Sequence, residues 1–558
     1  MSAGLFGLGL LLSRPAAAAW PADPLVNVPV CTAAGDQMNV ASVSDGAGGV
    51  IVTWHDPRNG TTDIYAQRLS ADGAVKWQAD GVALCTAIDG QHNPVIVPDG
   101  AGGAIVAWLD LRGLAGYDIF AQRISANGTV LWGPNGVALC TATGAQISAT
   151  LASDSAGGAI VTWEDYRSGN GNIYAQRISA GGTPLWTAEG VALCTAIGTQ
   201  EFPTIASDGT GGAIVTWWDG RSGDYDIYAQ GVSSVGTPLW TADGVALCTA
   251  TGIQEYPTIA PDGAGGAIVT WQDFRGGTVP HIYAQRISAS GTPDWTADGV
   301  AVCSAAQGQY LPTLVVDGAG GAIIVWTDKR YTSFDIFTQR ISSAGTPLWT
   351  SDGVPVSLAS FAQVTPSIVS DNAGGAIVTW SDSRNLNVPH IYAQRILADG
   401  TARWMADGVA VCTASGSQYA PSICPDGVHG ATISWYDNRG GANYDVYAQR
   451  VLWYGQLGGD VAGVPGDAEL AIALSPVRPN PSRGGALTVG FTLPSATTAS
   501  LELLDVAGRR IATRDLGTLG AGHHVLNVGD GSRLAPGLYL VRLRQGANVR
   551  VSRAVVLR

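Results

Sequence analysis

Eight copies of Asp-x-Arg run through the chain, from Asp56-Pro-Arg58 through Asp110, Asp165, Asp219, Asp273, Asp328 and Asp382 to Asp437-Asn-Arg439. Carboxylates and guanidiniums at close spacing are the groups of acid–base and anion-binding sites. Each copy follows a Trp two residues earlier: Trp54, Trp108, Trp163, Trp217, Trp271, Trp326, Trp380 and Trp435. Glycosidic cleavage needs two carboxyls in unlike environments, and identical residues in identical settings do not supply them. The repeat therefore reads as structure, with each Arg closing on an Asp or on carbonyls at the end of its strand. The Trp residues, with a second set typified by Trp77, read as core between repeating units. Asp224 and Asp226 form an Asp-x-Asp of calcium-ligating type, but two carboxylates leave a shell of about six to eight oxygens incomplete. They read as turn residues. No metal and no cofactor is expected, and the symmetry argues that the chain is not an enzyme.

Function must come from what varies. A Gln recurs once per unit (Gln37, Gln91, Gln146, Gln200, Gln254, Gln309, Gln363 and Gln418), and in several units aromatic or acidic residues follow it. Gln200-Glu201-Phe202, Gln254-Glu255-Tyr256, Gln309-Tyr310 and Gln418-Tyr419 are the candidate binding residues. Amide, carboxylate and aromatic groups on one rim would suit a glycan or a peptide. The loops after Asp-x-Arg are expected on the same face.

The elements that position these residues follow from the repeat. The Trp residues recur every 54 or 55 positions, and within each unit β-branched runs end at Asp-Gly, Gly-Gly or Asn-Gly turns. Four strands per unit emerge: Pro-Thr-Ile-Ala, Ala-Ile-Val-Thr-Trp, Ile-Tyr-Ala-Gln-Arg-Ile and Val-Ala-Leu-Cys. This is one propeller blade, and eight lie within the usual range of about four to eight. The eighth unit lacks its last strand, whereas Val26-Asn-Val-Pro-Val-Cys31 supplies one in phase before the first. The expectation is an all-β chain: an eight-bladed β-propeller over 20–454 whose N-terminal strand closes the last blade. Cys31, Cys85, Cys140, Cys194, Cys248, Cys303 and Cys412 recur once per blade, with Ser357 in the remaining slot. Equivalent positions on neighbouring blades exceed the roughly 7 Å reach of a disulfide, which leaves Cys412–Cys424 as the one pair within reach.

Charged residues make up 13% of the chain and the net charge is −14, so neither nucleic acid nor an anionic membrane would attract it. Six of the 44 acidic residues are Glu; Asp dominates because it supports turns. Leu5 to Leu12 and the small residues Ala16–Ala19 read as a secretory signal over 1–19, too short to span a bilayer.

After a Gly-rich linker over 455–473 the pattern changes to alternating strands, expected as a C-terminal β-sandwich over 474–558. Asn480-Pro481, the Asp505-Val-Ala-Gly-Arg509 hairpin, Gly537-Leu-Tyr539 and the basic end at Arg558 carry a resemblance. The segment is similar to the C-terminal sorting domain of type IX secretion substrates, and to the immunoglobulin-like domain of flagellar hook-capping proteins. That resemblance implies the outer-membrane secretion machinery as a partner and a secreted or outer-surface location in a Gram-negative bacterium. The Gly-rich turn before each strand that ends in Trp, as in Asp45-Gly-Ala-Gly-Gly49, loosely resembles the Asp-box repeats of sialidase-like propellers. A sialidase also needs converging Arg residues and a Tyr–Glu pair; neither is evident, and the few Glu fall in different blades. The chain reads as a monomeric surface binding protein, an adhesin or a glycan- or peptide-binding module. A ligand-free surface scaffold and a polysaccharide-degrading propeller are the alternatives.

Overall fold

The computed structural model describes residues 20–113, 116–458, 473–474, 482–483, 487–493, 498–516, 522–527, 534–546 and 548–557. The signal at 1–19 and the Asn480-Pro481 motif lie outside them. Two compact units divide at Gly459 and Asp460. No helix occurs among the described residues.

The first unit holds eight four-stranded antiparallel sheets. Blade four is typical, with strands Gln200–Ser207, Ala213–Asp219, Asp226–Val232 and Val245–Cys248. Its second strand is buried throughout, because neighbouring sheets cover both of its sides, and so its sequence is continuously apolar rather than alternating. The Trp residues two positions before the closing Asp of these strands are fully buried, and each anchors a cluster shared between adjacent blades. The last sheet is completed by Val28–Cys31, which pairs antiparallel with Asp445–Val451. The Ser42 amide of blade one donates to Ser422 Oγ of blade eight at 3.0 Å, and the Gln37 amide to the Tyr444 carbonyl at 2.7 Å. The two ends of the repeat thus meet.

Two recurring ties hold blade to blade, one near each face. On the face of the first hairpin turns, the Trp77 indole and the Arg68 guanidinium both donate to the Ala126 carbonyl of the next blade, at 3.1 and 2.7 Å. Arg68 also pairs with Asp45 of its own turn at 2.8 Å. The joint between blades eight and one follows the same plan, with Trp20 and Arg450 donating to the Ala71 carbonyl at 2.9 and 3.4 Å. Blade four departs from it: Gly231 stands where the other blades have Arg, and a Cβ there would meet Trp240 at 2.9 Å. Only the Trp240 indole therefore reaches the Ala289 carbonyl, at 3.2 Å.

On the opposite, loop-bearing face lies the Asp-x-Arg unit. In blade five, Asp273 accepts from the Trp271 indole at 2.8 Å and from Arg275 Nη2 at 2.7 Å. The same Arg275 nitrogen donates to Cys248 Sγ of the preceding blade at 3.2 Å, and the guanidinium lies 3.7 Å over the Tyr283 ring. Where Ser357 replaces Cys, its Oγ accepts from Arg384 at 3.3 Å. All eight cysteines are free buried thiols. Burial pushes the Cys248 thiol up to about 12, so these thiols pack as small apolar groups. The linker begins later than 455, because Leu457 bridges to Val451 and the Trp453 carbonyl takes the Arg395 and Trp404 donors. These contacts place residues up to 458 in blade eight.

The C-terminal unit has two sheets. One joins Ala473–Leu474, Thr488–Leu493 and Gly522–Asn527; the other joins Ser482–Arg483, Asn548–Leu557, Gly537–Gln545, Ala499–Asp505 and Arg510–Asp515. Val489, Phe491, Leu501, Leu503 and Val541 form the core between them. Asp505 caps its hairpin by accepting from the amides of Ala507 and Arg509 at 3.0 and 2.9 Å.

Candidate binding face

Strand register sets the working face. The start of each first strand pairs with the end of the second, and the end of the second with the start of the third: Gln200 lies opposite Asp219, and Asp219 opposite Asp226. The blade-joining loops and the loops after Asp-x-Arg therefore emerge together.

Three positions open every first strand, and each has a different fate. The Gln is fully buried in all eight blades. Its Nε2 donates to carbonyls of the joining loop, as from Gln254 to Gly252 at 2.9 Å. Gln200, Gln254, Gln309 and Gln418 thus do not belong to the rim. They brace the loop from beneath, because a loop turning back over a strand leaves carbonyls that need donors. The second position is half-buried at Glu201, Glu255, Tyr310 and Tyr419. The third is exposed in most blades and left-handed in all: Asn39, Asn93, Ser148, Phe202, Tyr256, Leu311, Thr365 and Ala420 have φ between 47° and 53°. A bulge follows, where the register shifts between Glu201 and Thr204. Third-position residues of adjacent blades touch, as Asn39 Nδ2 does Asn93 Oδ1 at 2.6 Å.

Around this circle the residues differ. Phe202 is 44% exposed and Tyr256 37%, and their ring centroids lie 5.9 Å apart. Trp218 sits between them, 4.7 Å from Phe202 and 4.9 Å from Tyr256, and stacks on Tyr225 at 5.1 Å. Trp218 is only 6% exposed, yet its indole N–H makes no hydrogen bond. Glu201 lies across the strand pair from Trp218. Glu164 of blade three accepts from the Tyr166 hydroxyl, and from the Phe202 amide at 3.5 Å. Burial and then the nearby Glu201 push the Glu164 carboxyl up, against its hydrogen bonds. Burial also pushes Glu255 up, although Gln272 Nε2 donates to it at 2.5 Å. Burial and the Glu201 charge raise the Tyr225 phenol.

Of the residues expected from the sequence, Glu201, Phe202, Glu255 and Tyr256 thus lie together on blades four and five. Tyr310 packs instead on Phe334 at 5.9 Å in blade six, and Tyr419 on Tyr436 and Tyr444 at 5.8 and 6.1 Å in blade eight. Asp226, expected in a turn, instead opens the third strand of blade four and accepts from Ser222 Oγ at 2.6 Å. Glu164, Tyr166, Trp218, Tyr225 and Gln272 were missed. The signal was the position between each repeated Trp and its Asp, which reads His55, Leu109, Glu164, Trp218, Gln272, Thr327, Ser381 and Tyr436. This position and the one between Asp and Arg, where Tyr166 stands, are the two varied positions in a fixed phrase. A smaller set, His55, His92 and Tyr117, joins blades one and two with centroids 5.9 Å apart at each step. Burial and the neighbouring His92 lower His55 to about 4.

Residues 477–557 match the secretion system C-terminal sorting domain. This is a type IX sorting domain. The sorting domain marks the protein for secretion and the outer cell surface, as in Bacteroidetes, and implies interaction with the secretion machinery. A curated relative, Facilitator of iron transport 1 of Saccharomyces cerevisiae, is 22% identical over 238 residues, covering 33% of this chain. The chain spans 44% of that relative's length. Among solved structures, the polysaccharide lyase Uly1 is 10% identical over 68% of this chain and 93% of its own, with a TM-score of 0.40. The Penicillium chrysogenum α-L-arabinanase is 12% identical over 56% and 94%, with a TM-score of 0.33. The expectation that the chain is not an enzyme is withdrawn, because its premise of identical blades fails: Glu164 and Glu201, which lie on different blades, come together beside the Phe202 amide and break the symmetry.

Proposed function

We propose that this secreted surface protein binds glycan, as a monomer, at the aromatic cluster of blades four and five. The observation that carries this reading is Trp218: a buried indole N–H without an acceptor, set between the exposed rings of Phe202 and Tyr256. Burying such a donor unpaired costs about 1–3 kcal/mol. A sugar hydroxyl that displaces one of the covering rings would accept from it and offset that cost. Aromatic pairs contribute about 0.5–1.5 kcal/mol beyond their buried area, so truncating one ring should weaken binding about tenfold. A glycan array probed with the full-length secreted protein should therefore give hits that Tyr256→Ala weakens without lowering Tm. An array without hits, or a loss of Tm like that of a core Trp truncation, would remove this reading.

A second reading, saccharide cleavage at the same place, rests on Glu164 and Glu201. One is buried and hydrogen-bonded to Tyr166 and the Phe202 amide; the other is half-buried beside Tyr225. Two carboxyls in unlike settings are what general acid–base cleavage of a glycosidic bond requires. Reducing-end release from a bound polysaccharide, abolished by Glu164→Gln with binding retained, would establish cleavage; binding without release would exclude it.

A further inference from the structure

We infer that the saccharide taken by blades four and five is cationic, an amino sugar bearing a free ammonium group. The inference rests on the glycan-binding reading and adds the charge of the ligand. Three of the four Glu residues in the propeller (Glu164, Glu201 and Glu255; the fourth is Glu189) converge on the aromatic cluster. No positive group answers them. Residues 146–303, which make up blades three to five, contain no Lys and five Arg. All five Arg are committed to Asp partners: Arg167 to Asp165, Arg177 to Asp154, Arg221 to Asp219, Arg275 to Asp273 and Arg286 to Asp262, at 2.6 to 3.0 Å. A uronate or sulfated chain would meet carboxylates with no guanidinium free to receive it.

An ammonium group would find two complementary partners. The faces of Phe202, Trp218 and Tyr256 carry the negative side of the ring quadrupole, and Glu201 lies beside them. Burial pushes the Glu164 and Glu255 carboxyls up, and a cation beside them would restore their ionised forms. The Trp218 N–H would be left to a neutral hydroxyl of the same residue. The net charge of −14 steers a polycation toward the protein from a distance.

The test is a calorimetric titration of the full-length protein with two oligosaccharide series of equal length, chitosan (free amines) and chitin (the same sugars N-acetylated), at pH 6 and pH 9. Chitosan should bind at least tenfold tighter at pH 6. That preference should collapse at pH 9, where the amine is neutral, and in 1 M salt, where the screening length is about 3 Å. Glu201→Gln should erase the preference and leave weak chitin binding, while Tyr256→Ala should weaken both series. Glu255→Gln, with Tm measured, serves if Glu201→Gln does not fold. Equal binding of the two series, or tighter binding of alginate than of chitosan, would overturn the inference and leave glycan binding intact. No binding by any saccharide would overturn both.

Discussion

Tyr256 and Phe202 hold φ at 53° and 50°, a region where bulky side chains are uncommon. Holding such a residue there costs about 1–3 kcal/mol, and the bulge of the first strand imposes it in every blade. Blades one and two meet the demand with Asn39 and Asn93, whose short polar side chains tolerate the conformation. Blades four and five do not. Bulky rings at these two positions are therefore a departure from what the backbone prefers. Tyr256→Asn should leave Tm unchanged or slightly raised while weakening glycan binding, a split read by thermal melts beside the titration. A fall in Tm would mean that the ring serves packing. At this scale the sequence was half legible. The repeated Gln was visible, but the chain does not announce that a loop folds over it. Glu164 and Glu201 stand 37 residues apart, and only the bulge that sets the Phe202 amide against Glu164 unites them.

At the scale of the strand, the Asp-x-Arg staple makes a strong claim. Asp273 is fully buried and accepts four donors from Trp271 and Arg275. Removing one partner of a buried pair costs about 3–5 kcal/mol, so Asp273→Ala should lower the free energy of unfolding by about that amount in urea melts. A second strand-end position makes stability depend on pH. His281 and His390 lie on third strands opposite Asp273 and Asp382, and place Nδ1 against the oxygens of Gln309 and Gln418 at 2.9 and 2.6 Å. In other blades Asp118, Asp335 and Asp445 hold that position, and the oxygens of Gln146, Gln363 and Gln37 have no donor. Burial pushes these three carboxyls up to about 6. Asp110, Asp328 and Asp437 add to the shift, as do Glu189, Asp407 and Asp80 in turn, while Arg112, Arg330 and Arg439 oppose it. A folded pKa above the unfolded value means stability that is present below about pH 4 and lost as pH rises through 6. Asp56 and Asp262, both lowered, act the other way and lose their contribution in acid. Through these three carboxyls Tm should fall between about pH 4 and pH 6 and level off above, a fall that the lowered His55 partly offsets because it gains stability over the same window. Replacing Asp118, Asp335 and Asp445 together by Asn should flatten that fall, and an unchanged profile would refute the assignment. The strands were legible because Trp spacing and turn pairs mark them; the His–Gln pairing was not, since it forms between blades.

Across the whole propeller, the joining of the first chain segment to the last blade decides how the repeat survives. The strand Val28–Cys31 covers the edge of Asp445–Val451, and Trp20 supplies the eighth indole of the turn-face ties. Deleting residues 20–31 should expose that edge, lower Tm and promote aggregation, as unpaired edges do; light scattering and melts that match the full chain would refute the pairing. This joining was readable because the missing strand of the eighth repeat lies in phase at the other end of the sequence. What Gly231 does to the circle was not readable from periodicity, because the consequence belongs to the neighbouring blade. Other blade-to-blade joints on the turn face carry two donors on one carbonyl, and the joint between blades four and five carries one. A bracelet opens at its clasp. Here the clasp lies on the same seam as Trp218 and Tyr256, which face each other from blades four and five. A sugar lodged between those rings would fasten the circle where it is most easily undone, and any force that parts the circle there would first release the sugar.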